Sequence, residues 1–98
     1  MIVCSWNINS VRMRESLLLE LIDSLDPDVI FLQEIKCQDN EFPSVDKKNE
    51  YSLVINGEKG KYGVAILIKK NSNFKKLILI LVFFKVKLEF VVSKLKIN

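Results

Sequence analysis

An amide and a carboxylate, each at the end of a short apolar run, are the residues here best suited to chemistry. Asn7 closes IVCSWN and Glu34 closes VIFLQE. If those runs are adjacent parallel strands, both side chains emerge where the loops converge and ligands bind. A hard cation such as magnesium takes oxygen ligands, often one or two carboxylates, and leaves the rest of its shell to water and phosphate. Glu34 would be that carboxylate, and Asn7 would face the same site. A cation so held can polarise a phosphate, lower the pKa of an attacking water, or neutralise a leaving oxygen. A plainer reading stands beside this one, with Gln33 and Glu34 as a solvated strand end and Asn7 as a turn residue. Arg12, Arg14, Lys36, Lys59 and Lys61 are candidate phosphate donors, although surface Lys and Arg commonly serve solvation alone. Trp6 reads as core in preference to a base-stacking platform.

The elements that must position this pair follow from the hydrophobic pattern. Residues 2–6 suit a buried strand that delivers Asn7 to its C-terminal edge. Ser10 can start a helix, and within 11–25 Leu17, Leu18, Leu21, Ile22 and Leu25 recur at helical spacing, predicting an amphipathic helix of about four turns. Pro27 disfavours helical geometry at Asp26, so the helix stops there. The continuous apolar run over 29–33 then suits a strand covered on both faces, completing a parallel β-α-β unit. Residues 36–50 are polar and irregular, with Phe42-Pro43 as an anchor and a short helical turn around 44–50 as one option. Residues 51–55 and 64–68 read as an antiparallel hairpin turned through Asn56, Gly57 and Gly60. Lys69 to Asn73 is the next break.

Composition bounds what the chain can be. Its 98 residues suit one small α/β domain, and 49% hydrophobic with 28% charged residues excludes a disordered chain. The net charge is +3, but 12 of the 15 Lys and Arg lie from Lys47 onward, while 9 of the 12 acids precede it. A basic second half is compatible with a polyanionic partner. Cys4 and Cys37 lack metal-type spacing and read as reduced thiols. The N-terminus carries neither a basic leader nor an apolar signal core, which makes the cytoplasm the expected compartment. The longest apolar run, 77–84, is too short for a membrane helix, which needs about 20 residues. Residues 74–98 change character, with Leu, Ile, Val, Phe and Lys dominating and neither Gly nor Pro present. They read either as one or two further strands, from the alternation of Lys85, Lys87 and Glu89 with Val86, Leu88 and Phe90, or as a frameshifted tail.

In order along residues 1–70, the strings SWNINS, DPDVIFLQEIK, EFP and NGEKGKYGVAIL resemble the exonuclease III-type apurinic/apyrimidinic endonucleases of the endonuclease/exonuclease/phosphatase superfamily. The resemblance implies the N-terminal part of a truncated four-layer α/β sandwich, two sheets flanked by helices. It also implies Mg²⁺ (or Mn²⁺) and hydrolysis of double-stranded DNA, 5′ to an abasic site or from a 3′ end. Asn7 matches the family's active-site asparagine and Glu34 its metal-binding glutamate. Asn9, Arg12, Lys36 and Lys61 match positions near bound DNA. Residues 1–73 are then an N-terminal part of such a domain, and 74–98 a divergent tail. The chain holds no His and no Asp after Asp46, so the family's later Asp, Asn and His motifs are missing. The expectation is a fragment inactive alone or completed by a separately encoded C-terminal half. Two alternatives remain open: a non-catalytic nucleic-acid-binding or interaction remnant, and a phosphodiesterase of the same superfamily acting on another phosphoester.

Overall fold

A computed structural model describes residues 2–58 and 62–70. They form β1 (Val3–Asn7), α1 (Glu15–Leu25), β2 (Val29–Gln33), a 3₁₀ turn (Asp39–Glu41), β3 (Tyr51–Gly57) and β4 (Gly63–Lys69). The strands make one mixed sheet of order β1-β2-β4-β3. β1 and β2 run parallel, as a short strand-helix-strand unit requires, and β4 is antiparallel to both β2 and β3. The described residues thus provide a sheet with a helix on one face.

Register sorts the side chains into rows. Trp6, Leu32, Ala65 and Ile55 form one row across the four strands, and Cys4, Ile30, Leu67 and Leu53 form the next. This face meets α1 through Leu18, its fully buried residue, with Leu19, Leu21 and Ile22 packed alongside. Each large aliphatic side chain taken fully from water contributes about 1.5–3 kcal/mol. On the opposite face the rows grade from apolar to polar toward the C-terminal end of β2. Val29 pairs with Ile68, Phe31 with Ile66, and then Gln33 with Val64, flanked by Asn7 on β1 and Asn56 on β3. Val29, Phe31, Ile66 and Ile68 are all buried. That explains why β2 reads as an unbroken apolar run: it is the second strand in from an edge and is covered on both sides.

The helix is one turn shorter than its periodicity suggested. Residues 11–14 form turns, and regular helix begins at Glu15. The backbone N–H groups of Ser10 and Val11 donate instead to the carbonyls of Glu34 and Ile35, at 2.9 and 3.1 Å. Ser10 nevertheless caps a turn, its Oγ accepting from Met13 N at 3.3 Å. At the other end Asp26 takes a left-handed conformation, and its N–H closes on the Ile22 carbonyl before Pro27. The irregular segment places its 3₁₀ turn at Asp39–Glu41, earlier than the helical option around 44–50, where residues 47–48 form only a turn. Phe42 packs against the core as expected of an anchor. The hairpin strands run two residues further on β3 than the sequence suggested, since Asn56 and Gly57 remain paired. The expectations for Gly60 and for residues 74–98 lie outside the described residues.

Tyr51 pins the end of the sheet remote from Asn7. It is buried, and its hydroxyl donates to the Pro27 carbonyl at 2.6 Å. Burial, reinforced by Asp26, Glu50, Asp28 and Asp46, pushes the phenol up to about 12. An acid whose folded pKa lies above its unfolded value of roughly 10 stabilises the fold fully below pH 10 and loses that contribution as pH rises toward 12. The two-unit difference corresponds to about 3 kcal/mol. Thermal melts at pH 9 and pH 11.5 should therefore show a marked loss of stability in the native chain. Tyr51→Phe should start lower, lacking the hydrogen bond, and fall less; an equal fall in both chains would assign the loss to other groups.

Candidate active site

Two loops at the C-terminal ends of β1 and β2 build the site. Four of the six described non-glycine residues with positive φ lie in them: Asn9 (48°), Ser10 (85°), Glu34 (52°) and Lys36 (55°). Such backbone costs on the order of 1–3 kcal/mol per residue and persists only where its surroundings over-determine it. Here they do. Ile8 N donates to Gln33 O, Ser10 N to Glu34 O and Val11 N to Ile35 O, which lays the first loop along the second. On the other side Ile35 N donates to Gly63 O and Lys36 N to Tyr62 O, at 3.1 and 3.0 Å. The alternation drives Ile35 into the core, fully buried, while Glu34 and Lys36 on either side stay at the surface.

Asn7 and Glu34 meet as the strand reading required. Asn7 Nδ2 donates to Glu34 Oε2 at 2.5 Å. A donor that is itself fixed by the last pair of β1 thereby orients the carboxylate, leaving Glu34 Oε1 and Asn7 Oδ1 to other partners. Lys36 Nζ donates to Asn9 Oδ1 at 2.5 Å. Arg14 holds the same loop from beneath, donating to the Asn9 carbonyl at 2.7 Å. Arg12 reaches across to Glu41 Oε2 and to the Lys36 carbonyl, each at 3.1 Å. Its ion pair with Glu41 is exposed on both sides, so it contributes at most about 1 kcal/mol and a stronger anion can displace it. Asn9, Arg12 and Lys36 therefore cluster on one flank of Glu34. Lys61 lies outside the described residues.

The other flank was not legible as a site. Gln33, Asn56, Glu58, Tyr62 and Gly63 border an open trough of about 360 Å³ beside Glu34. Gln33 and Asn56 stand in one row with Asn7, a relation fixed by β2–β4 and β4–β3 registers that no single strand pattern reveals. Gly63 has φ of +100°, and a Cβ there would lie 2.9 Å from Ile35 Cγ1, so only glycine lets this strand approach the Glu34 loop. Cys4 and Cys37 are free, and burial pushes both thiols up from their ordinary range, so they stay protonated and inert.

Residues 4–82 match the model of the Endonuclease/Exonuclease/phosphatase family. The chain is 45% identical over 67 residues to exodeoxyribonuclease III of Haemophilus influenzae, covering 67% of this chain and 25% of that protein. Among solved structures, an AP endonuclease from Archaeoglobus fulgidus superposes with a TM-score of 0.63 at 33% identity, covering 69% of this chain and 27% of that one. A 3′ phosphatase from Neisseria bound to a product DNA hairpin superposes with a TM-score of 0.60 at 32% identity, covering 65% and 25%. The chain thus spans about a quarter of the length of these relatives. With a family match running through most of its length, the chain belongs to the Endonuclease/Exonuclease/phosphatase family, and it is similar to exodeoxyribonuclease III and AP endonucleases over about a quarter of their length.

Proposed function

We propose that these 98 residues carry the Asn7–Glu34 part of a divalent-metal phosphodiesterase centre acting on DNA. The hydrogen bond from Asn7 to Glu34 carries this reading, because it aims a carboxylate and leaves two hard oxygens, Glu34 Oε1 and Asn7 Oδ1, for a cation. One carboxylate and one amide oxygen suit magnesium or manganese, which keep several waters and take the rest of their shell from phosphate. Among the described residues no group of three or more His, Cys, Asp or Glu forms a closed cage. Such a cation, when bound, would offset charge on a phosphate oxygen and lower the pKa of an attacking water. The chain's own part is to hold that oxygen pair in place and to present Lys36 and Arg12, positioned by Asn9 and Glu41, to the phosphates on one flank. Lys61 would add a further cation from the segment that precedes Tyr62.

Double-stranded DNA with an abasic site is the substrate that the relatives suggest. One of them is a DNA-(apurinic or apyrimidinic site) endonuclease 2 from Xenopus laevis, 37% identical over 74 residues. Hydrolysis also needs a base for the water and an acid for the leaving oxygen. The sequence has no His and no Asp after Asp46, so we place those groups on polypeptide outside these 98 residues, such as a separately encoded C-terminal half. Free Cys4 and Cys37 fit a reducing compartment, the cytoplasm. Among the described residues no helix is long and apolar enough to cross a membrane. Magnesium-dependent nicking of a duplex with a single abasic site, with Glu34→Ala as control, tests the reading.

A further inference from the structure

The sheet carries two apolar faces, and the described residues account for the cover of one. The helix side gathers its cluster from α1 through Leu18, from the loops after β1 and β2 through Ile8, Val11 and Ile35, and from the next segment through Phe42 and Val45. The described helix and the long loops thus all serve that side. On the other face, register places Phe31, Ile66 and Val54 in one row and Val29 and Ile68 in the next. Val54 is 6% accessible and the other four at most 3%. Side chains on one face of a sheet have neighbours beside them but only water above, until another layer packs over them. Exposure this low therefore requires a layer on this face.

Chain connectivity points to its source. Beyond the described residues the chain has only residue 1, residues 59–61 and residues 71–98 to offer. Residues 59–61 join β3 to β4 at the hairpin end nearest Glu34 and are tethered at Glu58 and Tyr62. Three residues span at most about 10 Å, whereas Ile68 lies along β4 from Gly63 by about 17 Å. One residue at the N-terminus is too small to cover five side chains. Residues 71–98 begin at the right place, for β4 ends beside the Val29–Ile68 pair, and Lys70 N donates to Glu50 O at 2.9 Å. Within them the string LILILVFF, residues 77–84, is wholly apolar and bounded by Lys76 and Lys85. An extended run of that length spans about 27 Å, more than the roughly 14 Å across four strands. It is also the part of the segment that gains most from leaving water.

We propose that residues 77–84 are the layer that covers Val29, Phe31, Val54, Ile66 and Ile68, so that the chain closes its own second core. A C-terminal half that brings the second sheet of the sandwich meets the same face and must displace this segment. That consequence alone rests on the DNA-hydrolase reading; the cover itself does not.

Methyl nuclear magnetic resonance on the full 98-residue chain, without metal or DNA, tests the proposal independently of Glu34. Nuclear Overhauser contacts should join the methyls of Val29, Ile66 and Ile68 to those of residues 77–82. In a mixture of labelled and unlabelled chains, none of these contacts should run between molecules. Leu79→Asp combined with Leu81→Asp should abolish them and shift the Val29, Ile66 and Ile68 resonances, while Ile30 and Leu67 on the helix side stay in place. A native spectrum in which the three methyls meet none of residues 77–84 overturns the proposal, whatever the double variant does. Contacts found only between molecules overturn it in favour of a second copy. Far-face resonances unmoved in the folded double variant overturn it as well.

Discussion

Given magnesium and a duplex with one abasic site, the 98-residue chain should leave the strand uncut by itself. Mixed with a C-terminal polypeptide that follows the matched quarter of an exodeoxyribonuclease III-type relative, it should nick that strand. Glu34→Ala should then lower the nicking rate by roughly 10³-fold or more. The size of the effect follows from how such groups act. Residues that work as one catalytic unit are strongly non-additive, so removing the carboxylate that would hold the cation forfeits most of what the others contribute. The same logic predicts the silence of the chain alone, since a positioned carboxylate without a base and an acid to move protons leaves the main barrier in place. Nicking by the unaided chain that Glu34→Ala abolishes would mean that these residues already complete the centre. Nicking that survives Glu34→Ala would place the reaction elsewhere.

Gly63→Val should be a severely damaging change to the fold near the site. The position has φ of +100°, where β-branched residues are strained, and its Cβ would meet Ile35 Cγ1 at 2.9 Å and Glu58 N at 3.1 Å. Ile35 is fully buried, so it has no room to yield. Backbone strain and overpacking together should cost roughly 2–5 kcal/mol, a large part of the stability of a domain this size. That corresponds to a fall of roughly 10–30 °C in Tm by circular dichroism. Because the Gly63 carbonyl holds Ile35 N, the substitution should also disturb the Glu34 loop. A Tm within about 2 °C of the native chain would show that the strand relaxes around the new side chain.

Much of the fold is written in local pattern. The apolar runs ending at Asn7 and Glu34, the helical spacing of Leu18, Leu21 and Ile22, and the stop at Asp26-Pro27 each depend on a few neighbouring residues, and each appears where the pattern puts it. The first turn of the helix did not follow, because the N–H groups of Ser10 and Val11 are taken by carbonyls 24 residues away in sequence. Asn7 and Glu34 were legible because adjacent parallel strands bring their ends together as a matter of topology. Gln33, Asn56 and Tyr62 were not, because their side of the site depends on antiparallel registers and on a loop crossing that hydrophobic period leaves unspecified. Arg12 was legible as a cation but not as Glu41's partner, since that contact depends on where a short 3₁₀ turn falls.

Manganese binding followed by nuclear magnetic resonance tests the central claim most directly, because it reads the Asn7–Glu34 pair without requiring turnover. The paramagnetic ion should broaden the amide resonances of Asn7, Gln33, Glu34 and Tyr62 first, with an affinity on the order of millimolar, as expected for a site with one carboxylate and water-filled positions. That selective broadening should disappear in Glu34→Ala while the rest of the spectrum stays in place. Broadening that is unchanged in Glu34→Ala, or that centres on the acidic residues around Tyr51 at the far end of the sheet, would contradict the assignment of this pair as a metal site.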